Sequence, residues 1–378
     1  MDDRKSLGIY IHIPFCRSRC IYCDFTSCVG DERAREKYCD YLKKEIRLAA
    51  QKYSKDYTVD TLYLGGGTPS LLNKESFCDI AKCVKDNFDC KLKEFSVEVN
   101  PCTATREKFE AFQKAGVTRV SIGVQSFDDK LLKMLGRAHD RECAVGVIKL
   151  AKEYPFEVSA DCMTGLPGQR KEDVEEFAEV AAALHTDHVS VYMLSVEDGT
   201  ELSRLIEKGM LTPKNDDEVA ELYDTACKAL KEKGYERYEI SNFAKDGKVS
   251  LHNLRYWRRQ DYLGLGLSAH SLLGNIRTFN PSTFEEYYSS IDEGVLPAKT
   301  EDIIDEDGQK EEFVMLALRL KEGIDVDKYN TLFGGDFKEE YKYALTKDAR
   351  YLHISDKRVA IKDEYLSVMN GIIVDFLK

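Results

Sequence analysis

Between Gly8 and Phe25 the chain reads GIYIHIPFCRSRCIYCDF, and this run constrains the fold more than any other. Ile9, Tyr10, Ile11 and Ile13 form an apolar, largely β-branched stretch that alternates with His12 and reads as a strand. Pro14 removes a backbone donor and ends it. Cys16, Cys20 and Cys23 follow within eight residues. A strand that delivers three thiols into one short loop is suited to holding a soft metal or an iron–sulfur cluster. A structural zinc site uses four protein ligands, whereas three leave one coordination position open. A zinc site completed by His12 or Cys28 is the alternative reading of the same residues.

After the loop the sequence keeps a steady rhythm. Apolar residues at helical spacing mark 33–53, 73–87, 103–115, 129–135, 141–153 and 171–184 as helices. Between them, 59–64, 95–99, 119–124, 156–162 and 188–194 read as strands. Polar and glycine-rich segments fall at the strands' carboxyl ends: Gly65-Gly66-Gly67-Thr68-Pro69, Asn100-Pro101, Gln125-Ser126 and Asp161 followed by Gly165-Leu166-Pro167-Gly168. With the first strand this makes six β/α units, so the fold class is α/β, a parallel sheet with right-handed crossovers. Six units rather than eight predict a partial barrel, open on one side, with its site at the carboxyl edge.

Beyond residue 200 the rhythm changes. Residues 1–200 are predicted to form the partial barrel and 201–300 an extension holding the polar–aromatic run 238–257 and the small-residue run 263–271. The acidic stretch 302–307 reads as a linker. Residues 301–378 read as a mostly helical, winged-helix-like domain with a hairpin at 353–361.

A formal charge of -12 is the opposite of the basic footprint a nucleic-acid binder needs. The first residues lack the apolar core of a signal peptide, and no run reaches the ~20 apolar residues of a membrane span, so a cytoplasmic protein is expected. Most of the 12 cysteines are scattered without regular spacing, and no disulfide framework is expected.

Cys16, Cys20 and Cys23, with Tyr22 before the third, resemble the signature of the radical S-adenosylmethionine (SAM) superfamily. The resemblance implies a 4Fe–4S cluster held through three irons by these cysteines, with SAM chelating the fourth and cleaved to a 5′-deoxyadenosyl radical. Further segments, in order, resemble the coproporphyrinogen-oxidase-like branch over essentially the whole chain: IYIHIPFC, LGGGTPS, EVNP, RVSIGVQSF, GRAHD, D-x-x-x-G-L-P, ISNFA, HNLRYW and LGLGLSAHS. Residues at matching positions would then form the SAM site. Tyr10 would lie beside the cluster, and Gly65, Gly66, Gly67 and Thr68 would present backbone to the methionine moiety. Glu98, Gln125, Arg137 and Asp161 would contact SAM; carboxylates can accept from hydroxyls or an ammonium, and Arg137 can grip a carboxylate. Each could equally be a buried structural polar group.

Two members of the branch compete. The oxygen-independent coproporphyrinogen III oxidases, which decarboxylate propionates, carry a fourth cysteine two positions after the third and a longer N-terminal extension. Here that position is Phe25, and fifteen residues precede Cys16. The HemW-type heme chaperones have phenylalanine there, an early cysteine loop and H-N-x-x-Y-W, matched by His252, Asn253, Tyr256 and Trp257. This resemblance implies heme as a third bound group, with His252 as candidate axial ligand and Tyr256 and Trp257 as stacking surface. His252 as a hydrogen-bonded core histidine is the alternative, and His270 is a second candidate. The implied partners are heme, heme-accepting proteins and an electron donor, with peripheral membrane association at the acceptor.

Overall fold

Six parallel strands carry the site, and each divides its side chains between two environments. In the computed structural model, which describes residues 4–377, they are β1 (Lys5–Ile13), β2 (Tyr57–Gly66), β3 (Cys90–Val99), β4 (Arg119–Gln125), β5 (Glu157–Thr164) and β6 (His188–Met193). The outermost residues of the predicted units, 1–3 and 378, lie outside the described residues. Successive strand side chains point to opposite faces. One set (Ile9 and Ile11, Leu62 and Leu64, Val120 and Ile122, Val158 and Ala160) is fully buried in the apolar core. The other set (Tyr10 and His12, Tyr63, Glu98, Ser121, Asp161, Tyr192) lines open space inside the sheet's curve. Period-two alternation thus builds a packed exterior and a polar lumen from the same strands.

The helices between the strands cover the apolar face. Glu32–Tyr53 is the longest, and Asp31 caps it by accepting from the Ala34 amide at 2.8 Å. Arg106–Ala115 ends at Gly116, whose φ of 84° is the left-handed conformation that a helix C-terminus favours. The crossovers place β1 to β6 side by side in chain order, all parallel.

The 201–300 segment contributes to both edges of this sheet. On the β6 edge, β7 (Glu236–Arg237) and β8 (Asn242–Ala244) add antiparallel pairing. On the β1 edge, β9 (Tyr262–Leu265) pairs in parallel with β1. It is followed outward by β10 (His270–Leu273), β11 (Ile276–Phe279) and β12 (Lys299–Ile303), giving a twelve-stranded sheet. The architecture is a partial (β/α)6 barrel with an extension and a C-terminal, mostly helical unit. That unit contains a three-stranded sheet of β13 (Ile324–Asp325), β14 (Leu352–Ile354) and β15 (Arg358–Ile361) beside short helices, a winged-helix-like arrangement.

Three local expectations are revised. Asp161 sits inside β5, three residues before its end, because its side chain faces the polar lumen and does not interrupt the core. The acidic 302–307 stretch is the end of edge strand β12 and the start of helix Glu306–Ala317, where Asp305 accepts from the Gly308 amide. Acidic residues there complement the helix N-terminus rather than form a linker. After the hairpin, where the mostly helical reading of 301–378 implies a helix, the chain forms a 3-10 turn, Asp363–Val368, followed by the short helix Met369–Val374.

Candidate functional site

The lumen opens at the carboxyl ends of β1 to β6 as a cavity of about 430 Å³ lined by Cys16, Cys20 and Cys23 together with Glu98, Gln125, Arg137 and Asp161. Residues up to 181 positions apart in sequence meet there for a topological reason: parallel strands with right-handed crossovers bring every strand terminus to one edge.

The cysteine loop is held from both sides. The Cys16 amide donates to the Cys28 carbonyl and the Cys28 amide to the Pro14 carbonyl, both at 2.9 Å. The Ile21 amide donates to Leu135, and the Leu202 amide donates to Ile21, so the loop is tied to two other segments. The Thr68 hydroxyl lies 3.7 Å from Cys16 Sγ, and Arg137 Nη1 lies 3.4 Å from Cys20 Sγ. Burial pushes the Cys23 thiol up. Tyr22 lines the same cavity beside Arg137.

Segment 65–68 is shaped by close approach. A Cβ on Gly66 would stand 2.3 Å from the His12 ring, and φ there is 102°; one on Gly67 would stand 2.7 Å from the Ile13 and Phe15 carbonyls. On Gly65 it would meet Glu98 Oε1. Glu98 accepts from Tyr63 Oη at 2.9 Å and from the Gly66 amide at 3.1 Å. Burial raises its pKa to about 7, and it raises that of Asp161, which accepts from Ser121, to about 6. Gln125 holds a positive φ of 68°, next to Gly123. Tyr63, Ser121 and Tyr192 also line the cavity and were not singled out in the sequence; their signal is the lumen-facing phase of each strand.

A second lobe, also about 430 Å³, adjoins the first and shares Asp24, Phe25, Gly66 and Glu98 with it. Tyr10, His12, Thr26, Tyr256, Tyr262, Ser268 and His270 complete its wall. Tyr10 therefore flanks the second lobe, with its hydroxyl 3.0 Å from His12 Nδ1. Phe25 is 61% exposed between the lobes.

The H-N-x-x-Y-W run lies on helix Leu251–Trp257, and the helical period separates its members. His252 and Tyr256, four apart, share a face. His252 is fully buried: Nδ1 is 3.0 Å from Thr61 Oγ1, Nε2 is 2.8 Å from Tyr256 Oη, and the ring stacks on Tyr63. Burial lowers its pKa to about 3, so it is neutral. Both ring nitrogens are engaged, the arrangement of the hydrogen-bonded core histidine that is the alternative reading. Trp257 points elsewhere, into a separate cavity shared with Phe313 and Arg358 of the C-terminal unit. Asn253 is half-buried on the helix and lines neither lobe.

A partial (β/α)6 barrel with three thiols at its carboxyl edge defines the radical SAM class. Residues 10–181 match the Radical SAM superfamily, and residues 304–364 match the HemN C-terminal domain. The heme chaperone HemW of Bacillus subtilis is 35% identical over 378 residues, covering 97% of this chain and 98% of its own. HemW of Lactococcus lactis is 30% identical, covering 99% and 98%. The solved structure of coproporphyrinogen III oxidase (HemN) from Escherichia coli superposes with a TM-score of 0.88 at 23% identity, over 100% of this chain and 91% of that one, and shares the fold. The chain belongs to the HemW heme-chaperone family of radical SAM proteins.

Proposed function

We propose that this protein carries a 4Fe–4S cluster on Cys16, Cys20 and Cys23, binds SAM in the first lobe, and takes up heme for delivery to acceptor proteins. The observation that carries the reading is the cysteine loop itself: three thiols line the cavity mouth, and Phe25, at the position where the resemblance implies a fourth cysteine in the decarboxylases, stands exposed. Among the described residues, no three His, Cys, Asp or Glu side chains gather round one point as a single metal ion requires. A cluster differs, since it takes one thiolate per iron around a wider rim. When bound, the cluster would supply one-electron chemistry and an open iron for SAM.

The residues round the cavity suit SAM by type. Glu98 and Asp161 are acceptors for hydroxyls or an ammonium, Arg137 is a cation at the loop, and the segment 65–68 brings backbone close. Cargo transfer to heme-accepting proteins, an electron donor and a cytoplasmic location accompany the family reading. No helix among the described residues is long and apolar enough to cross a membrane, and a peripheral contact with the acceptor is compatible with that.

The alternative is radical decarboxylation of coproporphyrinogen III, and one experiment separates the two. The anaerobically reconstituted, reduced protein is incubated with SAM and coproporphyrinogen III, and in parallel loaded with heme and mixed with a heme-free acceptor. Heme transfer without protoporphyrinogen formation is expected. Protoporphyrinogen as product would overturn the chaperone reading, and zinc in place of iron and sulfide after reconstitution would overturn both.

A further inference from the structure

Axial ligation of heme iron by histidine needs a ring nitrogen without a partner, facing a space wide enough for a planar macrocycle. The seven histidines can be sorted by that requirement. His252 fails, with both nitrogens bonded. His12 fails likewise, held by Tyr10 Oη and the Thr26 carbonyl, and so does His188, held by Ser159 and Tyr238. His139 is buried with Nε2 on the Val124 carbonyl, and although its Nδ1 has no hydrogen-bond partner it lines neither lobe. His185 and His353 are exposed and line neither lobe.

His270 is the one of the seven that lines a lobe with a ring nitrogen unpartnered among the described residues. It opens β10, lines the second lobe, and its side chain is 53% exposed. Its Nδ1 lies 3.5 Å from Glu301 Oε2 on the neighbouring edge of the sheet, and Nε2 has no partner among the described residues. A carboxylate on one ring nitrogen is the arrangement that orients a metal-bound imidazole and raises its basicity. The ring is also steadied by Phe279, stacked at a centroid distance of 6.0 Å.

The lobe suits a planar, amphipathic ligand. Phe25, Tyr10, Tyr256 and Tyr262 give it aromatic walls, and its volume falls in the range of small-molecule sites. Ser268, two residues before His270, holds a φ of 55°, and its buried hydroxyl has no hydrogen-bond partner. An unsatisfied buried hydroxyl next to a cavity is a group awaiting a partner. The lobe's contact with the first lobe through Phe25 and Glu98 puts any occupant beside the SAM cavity.

We infer that heme binds in this second lobe with His270 Nε2 as axial ligand and Glu301 as the positioning residue on Nδ1. The inference rests on the heme reading above and assigns its site to the SAHS segment rather than to His252.

The test titrates ferric heme into the full chain and follows absorbance and electron paramagnetic resonance. Wild type is expected to show a histidine-ligated spectrum. His270→Gly should lose it, with affinity weakened more than ~10-fold, and added imidazole should restore it. Glu301→Gln should keep the spectrum and weaken binding ~10-fold, by loosening the ring's orientation. Iron and sulfide content and the melting curve should match wild type in both, since neither residue touches the cysteine loop. An unchanged spectrum in His270→Gly would overturn the ligand assignment alone. Absence of heme binding by wild type would instead overturn the functional reading on which it rests.

Discussion

Arg137 reaches across the cavity mouth and places Nη1 3.4 Å from Cys20 Sγ while another nitrogen of the same guanidinium donates to the Gly123 carbonyl. One side chain therefore couples the cysteine loop to β4 and sets a positive charge beside a proposed iron ligand. Charged hydrogen bonds contribute about 1.5–3 kcal/mol. Arg137→Leu should therefore give up iron to a chelator roughly ten times faster than wild type. Chelator-release kinetics after anaerobic reconstitution check this, and equal rates would show that the guanidinium serves only to hold the loop.

Glycines 67 and 146 should respond to alanine in opposite ways. At Gly67 a Cβ would press on the backbone carbonyls of Ile13 and Phe15, which cannot move without shifting β1. Gly67→Ala should lower stability by several kcal/mol or prevent folding, the order of other overpacking changes. Gly146 lies within helix Arg141–Ala151 with nothing within 4 Å of its Cβ position. Gly146→Ala should stabilise by about 0.5–1 kcal/mol, through helix propensity. Urea midpoints compare the two directly.

Glu45 gives a pH signature away from the site. It is buried and accepts from Tyr287, Asn280 and the Gly266 amide, and burial raises its pKa to about 7. Between its ordinary value of ~4.3 and that value the folded chain binds the extra proton, so this group's contribution falls as pH rises through the window. Glu45→Gln removes the titration. The stability of the variant relative to wild type should therefore rise by about 2–3 kcal/mol from pH 4.5 to pH 8, as read from paired melts. A difference that does not change with pH would contradict the shift.

Glu94 anchors the helix that carries His252. Its carboxylate accepts from the Leu251 amide at 2.6 Å and from the His252 amide and Ser250 hydroxyl at 3.2 Å, and it faces buried Arg119 at 3.6 Å. Removing one partner of a buried pair costs about 3–5 kcal/mol. Glu94→Ala should cost that much and should expose the 251–257 segment to hydrogen exchange, while Glu157→Ala, whose side chain is the more exposed partner of Arg119, should cost less.

Much of this was legible along the chain. The alternation in β1, the glycine run and the order of helices and strands define the class because each follows from local steric and hydrophobic periods. The thiols were equally plain, since three ligands in one loop need no distant partner to be recognised. Pairings between distant residues were not. His252, read as a candidate ligand, is closed by Thr61, which is 191 residues away. Trp257 and Tyr256, adjacent in sequence, face different cavities because a helix turns each residue about 100° from the last. His270 stands out only once Glu301, on another strand, lies against it.

The sequence by itself determined the barrel class, the cysteine loop and the family. Tertiary structure alone decided which histidine keeps a free nitrogen at the wall of a lobe. Local periodicity can assign a side chain to a face, but whether its polar atoms are satisfied depends on groups that only the closed sheet brings within hydrogen-bond distance.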